Sequence, residues 1–295
     1  MSATCCWWLL LVADWCWHRS WQPGRNRFCS PAVWSPISAS TSVFSDAVGT
    51  TSTPGRVHSP RPTEVEIGAI LFDVDETLYD RERAQRLVLE RLPAALPELL
   101  GQVDFDTLWQ AWQLSDRQTS DHKYTVADIR TSRNVRSAAF LRALGLSEDD
   151  TEVVTDFYLK TYPTVSAPIS GAAEVVTACA RRLPVGVVSN SYPDVQYGKL
   201  ETLGLRHHFH CIVLSEEYGG PRKPAAEIFL RGCELLGVPP AATLYVGDSF
   251  ANDVIGARGA GLIPCWYNPQ GQQVPVGEMA AAFQLTEMRQ LLELL

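Results

Sequence analysis

The chain has 295 residues, a formal net charge of −8 at pH 7 and a pI of about 5.3. This length is enough for one or two domains with a large core, and the composition is ordinary for a soluble globular protein. The acidic balance argues against a protein that wraps nucleic-acid phosphates, because such a protein needs a basic surface.

Residues 1–64 differ in composition from the rest of the chain. Six of the nine tryptophans fall within the first 34 residues, and a tract rich in Ser, Thr, Pro and Gly follows. The apolar run at 6–13 has no basic residue before it, is followed by Asp14 and is too short to span a membrane. We expect 1–64 to be a disordered extension, or an upstream translation that the mature protein lacks. An export or membrane-tethering signal is the alternative.

The sequence from residue 65 onward has the patterns of a folded α/β protein. A strand is predicted at about 66–73, and its apolar run indicates burial on both faces. Only helical patterns follow until residue 163, and we place them at 83–92, 104–116, 125–144 and 148–161. The block 83–163 is therefore predicted to be an all-helical insertion after the first strand.

Strands and helices alternate in the remainder of the chain. We place helices at 171–182, 193–203, 224–236 and 251–260, and strands at 185–189, 211–214, 243–247 and 262–266. Such alternation indicates βαβ units and a parallel sheet. We expect an α/β fold in which 65–82 and 164–295 form a doubly wound, Rossmann-like parallel sheet. The block 83–163 would then be a helical cap over the carboxyl ends of the strands.

Reactive side chains are concentrated at the ends of four predicted strands. They are Asp73, Asp75 and Thr77 at the first, Ser189 and Asn190 at the second, Lys223 after the third, and Asp248 and Asp253 after the fourth. In a parallel sheet these ends share one edge, so we expect the residues to converge on one crevice. Several carboxylates in one crevice repel each other unless a cation lies among them, and hard oxygen ligands suit Mg²⁺.

The chain resembles the haloacid dehalogenase-like (HAD) hydrolase superfamily in four ordered motifs. They are Asp73-x-Asp75-x-Thr77, Ser189-Asn190, Lys223-Pro224 and Gly247-Asp248-x4-Asp253. The resemblance covers about 64–280. Two flanking stretches are similar to the branch with a helical cap after the first motif, namely Asp194-Val195-Gln196 with Lys199-Leu200, and Cys265-Trp266-Tyr267-Asn268. That branch includes bacterial 5′-nucleotidases and related small-phosphate phosphatases.

The resemblance implies that Asp73 is the nucleophile and forms an aspartyl-phosphate. Asp75 would protonate the leaving oxygen and then take a proton from the hydrolytic water. For this it needs a raised pKa, which neighbouring carboxylates can provide. Lys223 would stabilise the charge on the transferring phosphoryl group. Arg222 is the alternative cation, because the loop before Lys223 looks one residue longer than is usual in the family.

The resemblance also implies a Mg²⁺ site. We assign the ion to the side chains of Asp73 and Asp248 and to the backbone carbonyl of Asp75. Asp253 is expected to be an outer-shell partner that acts through water or through Lys223.

Substrate binding is assigned by the same resemblance. The Ser189 hydroxyl and the Asn190 backbone N–H would hold phosphoryl oxygens, with Thr77 as a further binding residue. In the cap, arginines recur at every third position and so line one helical face, which is either solvated or directed at the leaving group. They are Arg130, Arg133 and Arg136. We expect Arg133 to be the one that reaches the substrate.

Asp75 also distinguishes two reaction types. The dehalogenases of the superfamily lack an acid at this position and need no metal, because displacing a halide requires no proton donor. Expelling an alkoxide does require one, so Asp75 favours phosphoryl transfer over metal-independent 2-haloacid dehalogenation. The next residue, Glu76, stands where the family most often has Gly. We expect it to point to solvent, with crowding of the turn as the alternative.

We therefore expect a Mg²⁺-dependent phosphatase acting on a small phosphorylated metabolite. A nucleoside 5′-monophosphate is the first expectation and a sugar or polyol phosphate the second. A non-enzymatic binding protein on the same scaffold is disfavoured, because no catalytic position has been lost. No nucleic-acid or membrane partner is expected, and the protein should be a monomer or homodimer. Scattered cysteines without metal-ligand spacing indicate reduced thiols and a cytoplasmic location.

Overall fold

A computed structural model of the chain describes residues 66–119, 128–217 and 220–295. The predictions for 1–64, and for the start of the helix at 125–144, lie outside these described residues. All the described residues belong to one unit, Pro60–Leu295. Among them, no helix is long and apolar enough to cross a membrane.

A six-stranded parallel sheet lies at the centre of this unit, in the strand order β3-β2-β1-β4-β5-β6. The strands are β1 (Ala69–Phe72), β2 (Val185–Ser189), β3 (Cys211–Leu214), β4 (Thr243–Gly247), β5 (Ile263–Tyr267) and β6 (Phe283–Leu285). The expected α/β class and parallel sheet are confirmed. The sequence pattern does not predict β6, because this strand has only three residues and just one of them is buried.

Helices separate β1 from the rest of the sheet along the chain. The helices of the insertion predicted to be a cap, called the cap helices below, are α1 (Arg81–Ala95), α2 (Pro97–Leu100), α3 (Phe105–Gln118), α4 (Ile129–Ala143) and α5 (Thr151–Thr161). The helices that alternate with the later strands are α6 (Ala172–Ala180), α7 (Pro193–Thr202), α8 (Ala226–Leu236) and α9 (Ile255–Gly259). The short α2 is absent from the predictions, because it has only four residues and begins at a proline, a residue that is favoured in the first turn.

Both faces of the sheet are covered, and β1 shows how the sequence achieves this. Successive residues of a strand point to opposite faces. Ile70 and Phe72 accordingly pack in one apolar cluster with Val176 of α6, while Leu71 packs in another with Phe229 of α8. All four residues of β1 are fully buried. A strand covered in this way must be apolar at every position, which is the pattern that identified it.

The two connections between the cap helices and the sheet run side by side. Tyr79 forms an antiparallel bridge with Pro168. The Asp80 N–H donates to the Ala167 carbonyl at 2.8 Å, and the Ile169 N–H donates to the Leu78 carbonyl at 3.1 Å. The chain therefore leaves the sheet and returns to it through one short two-stranded stem.

Four cysteines of the described part of the chain are free thiols, and all are buried. Burial raises the pKa of the Cys265 thiol to about 12, which keeps it protonated and unreactive. The expectation of a cytoplasmic location depends on reduced thiols of this kind.

Candidate active site

Seven of the residues predicted to act in catalysis, metal binding or substrate binding line one cleft at the carboxyl edge of the sheet, with a volume of about 210 Å³. They are Asp73, Asp75, Ser189, Asn190, Lys223, Asp248 and Asp253. The backbone fixes the entry to this cleft, because the Asp73 N–H still donates to the Val246 carbonyl of β4 at 2.9 Å. Asp73 is thus the last position held by the sheet, and the chain turns into the cleft immediately after it.

The Lys223 ammonium lies at the centre of the cleft floor. Its Nζ is 2.6 Å from Asp73 Oδ1, 2.7 Å from Asp253 Oδ1 and 2.9 Å from the Tyr245 hydroxyl. Burial alone would lower the pKa of Lys223, but the two carboxylates outweigh it and raise that pKa. Arg222, the alternative cation, forms an ion pair with Glu216 instead.

The end of β2 holds Lys223 in place from the opposite side. The Asn190 side chain accepts from the Lys223 N–H at 2.8 Å and donates to the Lys223 carbonyl at 3.0 Å. These two bonds fix the side-chain amide of Asn190 against Lys223, and the backbone N–H of Asn190 stays the group predicted for the phosphoryl contact. The Ser189 hydroxyl accepts from Gln196 Nε2 at 2.9 Å, which leaves its own O–H to donate.

Three carboxylates surround the Lys223 ammonium with a surplus of negative charge. Asp73, Asp248 and Asp253 each place an oxygen within 4.8 Å of the other two. Burial and repulsion by the other two carboxylates raise the pKa of Asp248 to about 8. Burial, opposed by Lys223, raises the pKa of Asp73 to about 6. An all-oxygen cluster with excess negative charge fits a hard divalent cation such as Mg²⁺.

Asp253 lies behind Lys223 and is almost fully buried. Its Oδ1 accepts from Lys223 Nζ at 2.7 Å and from the Tyr245 hydroxyl at 3.2 Å. Its Oδ2 accepts from the Ser249 N–H at 2.9 Å. Both oxygens therefore already accept hydrogen bonds from the protein. This leaves Asp73 and Asp248 as the more open side-chain ligands of the cluster.

Asp75 has a cation partner that the sequence reasoning missed. Lys199 of α7 donates from Nζ to Asp75 Oδ1 at 2.5 Å, and its ammonium lies 5.1 Å and 5.0 Å from the ring centroids of Tyr79 and Tyr162. Burial would raise the pKa of Asp75, but Lys199 and Arg81 outweigh burial and lower it. The expectation of a raised pKa is therefore wrong for this structure, because Lys199 and Arg81 act on Asp75 more strongly than the neighbouring carboxylates do.

A helical signal for Lys199 was present in the sequence. Gln196 and Lys199 are three residues apart, so they share one face of α7, and α7 begins directly after Ser189-Asn190. Gln196 contacts Ser189, and Lys199 contacts Asp75. Polar residues at this spacing, on a helix that begins just after a strand end in the crevice, indicate side chains that hold the site residues in position.

Thr77 does not line the cleft, contrary to its expected contact with the substrate. It is fully buried, and its hydroxyl donates to Asp248 Oδ1 across 3.5 Å, a long hydrogen bond. Two residues beyond Asp75 the chain has already turned behind Asp248. Thr77 therefore orients a candidate metal ligand rather than a substrate.

Glu76 shows why glycine is favoured at its position. Its φ of 59° lies in the left-handed region, which costs energy for a residue with a Cβ. The side chain lines the cleft and accepts from Arg81 Nε at 3.4 Å. The expectation that Glu76 points to solvent is therefore wrong, because its pairing with Arg81 holds it over the cleft.

The three arginines of α4 have different surroundings rather than one shared solvated face. Arg130 is exposed and pairs with Asp156 at 2.6 Å. Arg136 is buried, with its Cζ 4.1 Å from the centroid of the Trp112 ring. Arg133 lines a second cavity of about 70 Å³, which continues from the cleft past Asp75. Arg133 is thus on the side of Asp75 where a leaving group would lie.

Comparisons with known proteins agree with these motifs. A family model for haloacid dehalogenase-like hydrolases matches residues 67–261. The pyrimidine 5′-nucleotidase YjjG of Escherichia coli (strain K12) is 30% identical over 234 residues, 77% of this chain and 96% of that protein. The structure of the HAD-hydrolase YfnB of Bacillus subtilis bound to magnesium is 26% identical, with a TM-score of 0.62, and covers 77% of this chain and 98% of that one. The fold is shared with a 2-haloacid dehalogenase of Pseudomonas syringae pv. Tomato DC3000. That structure is 24% identical, with a TM-score of 0.54, and covers 77% of this chain and 97% of that one.

The Asp75–Lys199 contact leads to a prediction about stability. Lys199→Met keeps the aliphatic stem but leaves Asp75 without its ammonium, and Asp75→Asn leaves a buried ammonium without its carboxylate. We expect the double variant to be more stable than the sum of the single changes predicts, with a coupling energy of about 1–3 kcal/mol. Urea unfolding of the four proteins of the cycle measures it.

The exposed pair Arg289–Glu174, at 2.8 Å, is the matched control. Its coupling should be below about 1 kcal/mol, because both side chains are largely solvated. Additive effects of Lys199→Met and Asp75→Asn would contradict the assigned contact.

Proposed function

Since this chain belongs to the haloacid dehalogenase-like hydrolase family, we propose that it is a Mg²⁺-dependent phosphatase of small phosphomonoesters. The observation that carries the proposal is the position of Asp75. Its carboxylate lines both the cleft that holds Asp73 and Lys223 and the adjoining cavity. A proton donor at that boundary is what the departure of an alkoxide from phosphorus requires.

The first step transfers the phosphoryl group to Asp73. A carboxylate oxygen of Asp73 attacks phosphorus, the ester P–O bond breaks, and the departing oxygen takes a proton from Asp75. Lys223 holds the Asp73 carboxylate in position and neutralises charge on the phosphoryl oxygens, while Ser189 and Asn190 donate to them. Asp73, Asp248 and the Asp75 carbonyl would hold Mg²⁺, which when bound offsets the negative charge of cleft and phosphate.

The second step releases phosphate from Asp73. Asp75, now ionised, takes a proton from a water molecule whose oxygen attacks phosphorus, and the bond from phosphorus to Asp73 breaks. Lys199 and Arg81 favour the ionised form of Asp75 that this step needs. The first step needs the protonated form, which the negative charge of a bound phosphoryl group favours.

The proposed substrate class is a small phosphomonoester. The nucleotidase name of the E. coli relative supports a nucleoside 5′-monophosphate, and sugar or polyol phosphates are the alternative. The solved relative that holds magnesium supports the proposed cofactor. Buried free thiols support a cytoplasmic location. Metal-independent dehalogenation is disfavoured, because Asp75 would have no function in it.

The nucleophile is tested by Asp73→Asn. We expect this change to lower the rate of p-nitrophenyl phosphate hydrolysis by at least about 10³-fold, because an amide does not attack phosphorus. The melting temperature should stay the same or rise, since one of three crowded carboxylates is neutralised. Glu90→Gln, on an exposed part of α1, is the control and should keep full activity. Near wild-type activity of Asp73→Asn would overturn the assignment.

The proton donor is tested by Asp75→Asn with two kinds of ester. An alkyl phosphate needs protonation of its leaving group more than p-nitrophenyl phosphate does. We expect a loss of kcat of about 10²–10⁴-fold for the alkyl ester and at least tenfold less for the aryl ester. Steady-state kinetics on both substrates measure the difference. Equal losses would argue against Asp75 as the acid.

The metal is tested through stability as well as activity. Mg²⁺ at 100 times its Kd should stabilise the protein by about 2.7 kcal/mol, because it binds only the folded chain. Asp248→Asn should abolish this gain, whereas Asp156→Asn, on the cap surface, should keep it. EDTA should stop phosphate release, and added Mg²⁺ should restore it. Halide release from a 2-haloacid that survives EDTA would instead establish a dehalogenase.

A further inference from the structure

The second cavity lies on the cap side of Asp75, where the leaving group of a phosphomonoester would be expelled. Residues of α1, α4 and α5 of the cap and of α7 line it, and it shares Asp75, Arg81 and Asn190 with the phosphate cleft. Its volume of about 70 Å³ is roughly that of a few water molecules. A larger cavity of about 450 Å³ also adjoins the cleft through Glu76 and Asp248, but Asp75 does not line it.

Cations outnumber carboxylates around this second cavity. Arg81, Arg133, Arg136 and Lys199 line it, and Asp75 is the one carboxylate among the described residues of its lining. Asp116 adds a second negative charge outside the lining, 3.9 Å from Arg81 and 3.7 Å from Arg136. Glu76, also outside the lining, accepts from Arg81 Nε at 3.4 Å. Among the described residues, four cations therefore face three carboxylates. The Arg81 side chain is 40% exposed, whereas those of Arg136 and Lys199 are only 3% exposed. An excess of positive charge around such buried groups is unfavourable unless an anion joins it.

Two of these guanidinium groups also have spare donors. The Nε atoms of Arg133 and Arg136 are buried, and neither has an acceptor among the described residues. Only 3% of the Arg136 side chain is exposed. Its Cζ lies 4.1 Å from the centroid of the Trp112 ring and 4.2 Å from that of the Tyr158 ring. The rings fix the direction of this guanidinium. Burial and the neighbouring Arg136 lower the pKa of Arg133, a sign of the same uncompensated charge.

We propose that this cavity binds a carboxylate carried by the leaving alcohol of the substrate. The inference rests on the proposed phosphatase function and narrows its substrate class. A guanidinium fork matches the planar geometry of a carboxylate and can donate two parallel hydrogen bonds to it. The small volume admits a short carboxylic acid and excludes a nucleoside in this arrangement of cap and sheet. The preferred substrate is therefore a small phosphorylated hydroxy acid rather than a nucleotide.

Matched pairs of esters test the proposal in the full-length protein with Mg²⁺. 3-Phosphoglycerate and glycerol 3-phosphate differ only in a carboxylate against a hydroxymethyl group. 2-Phosphoglycolate and 2-hydroxyethyl phosphate differ in the same way. We expect kcat/KM to be at least about tenfold higher for the acid of each pair, and higher than for uridine or cytidine 5′-monophosphate. p-Nitrophenyl phosphate is included as a general phosphatase substrate.

Arg133→Gln and Arg130→Gln are the matched variants, on the same helix. The preference for 3-phosphoglycerate over glycerol 3-phosphate should fall by about tenfold in Arg133→Gln and stay unchanged in Arg130→Gln. Inhibition of the wild-type enzyme provides a measurement that needs no variant. Free glycerate should inhibit p-nitrophenyl phosphate hydrolysis at concentrations at which glycerol does not.

The possible results separate the two proposals. Equal kcat/KM within both pairs, together with hydrolysis of p-nitrophenyl phosphate, overturns the carboxylate site and leaves the phosphatase function intact. A preference for nucleotides over both acids overturns it as well. Failure to release phosphate from any ester overturns the phosphatase function, and the carboxylate site with it.

Discussion

The buried ammonium of Lys223 is the contact on which the arrangement of the cleft depends. It joins Asp73, 150 residues earlier in the chain, to Asp253, 30 residues later. At the end of β2, the Asn190 side chain accepts a hydrogen bond from the Lys223 backbone N–H, and the Tyr245 hydroxyl of β4 accepts one from Lys223 Nζ. These groups meet because β2, β1 and β4 are neighbours in a parallel sheet whose carboxyl ends share one edge. Topology brings the groups together, and one cation makes their proximity electrostatically tolerable.

Two aspartates only two residues apart have opposite environments in this cleft. Asp73 is buried and lies near other carboxylates, and burial above all raises its pKa to about 6 even though it contacts Lys223. Asp75 faces Lys199 and Arg81, so its pKa is lowered. Paired titratable groups with divergent environments are how enzymes divide nucleophilic and proton-transfer work between chemically identical side chains. The difference in environment arises from α7 and the start of α1, which place Lys199 and Arg81 against Asp75.

The sheet and the convergence at its edge were predictable from the sequence because both depend on local pattern and simple geometry. Continuous apolar runs mark buried strands, and parallel strands end at one edge. Three features were not predictable in this way. Thr77 turns behind Asp248 because the backbone turns sharply after Asp75, which a spacing pattern does not encode. The Lys199 contact depends on the rotation of α7 about its axis. Arg136 is buried between aromatic rings because of cap packing, which periodicity alone does not distinguish from a solvated face.

The paired connections at Tyr79 and Pro168 have a consequence for the evolution of the protein. Because the helical insertion leaves and rejoins the sheet at one two-stranded stem, its sequence can diverge without disturbing the strand order that assembles the catalytic groups. The carboxylates and Lys223 of the cleft are thereby encoded outside the stretch of the gene that encodes the insertion. A transplanted insertion need only reproduce the stem and the surface that packs on Lys199 to fit the same cleft.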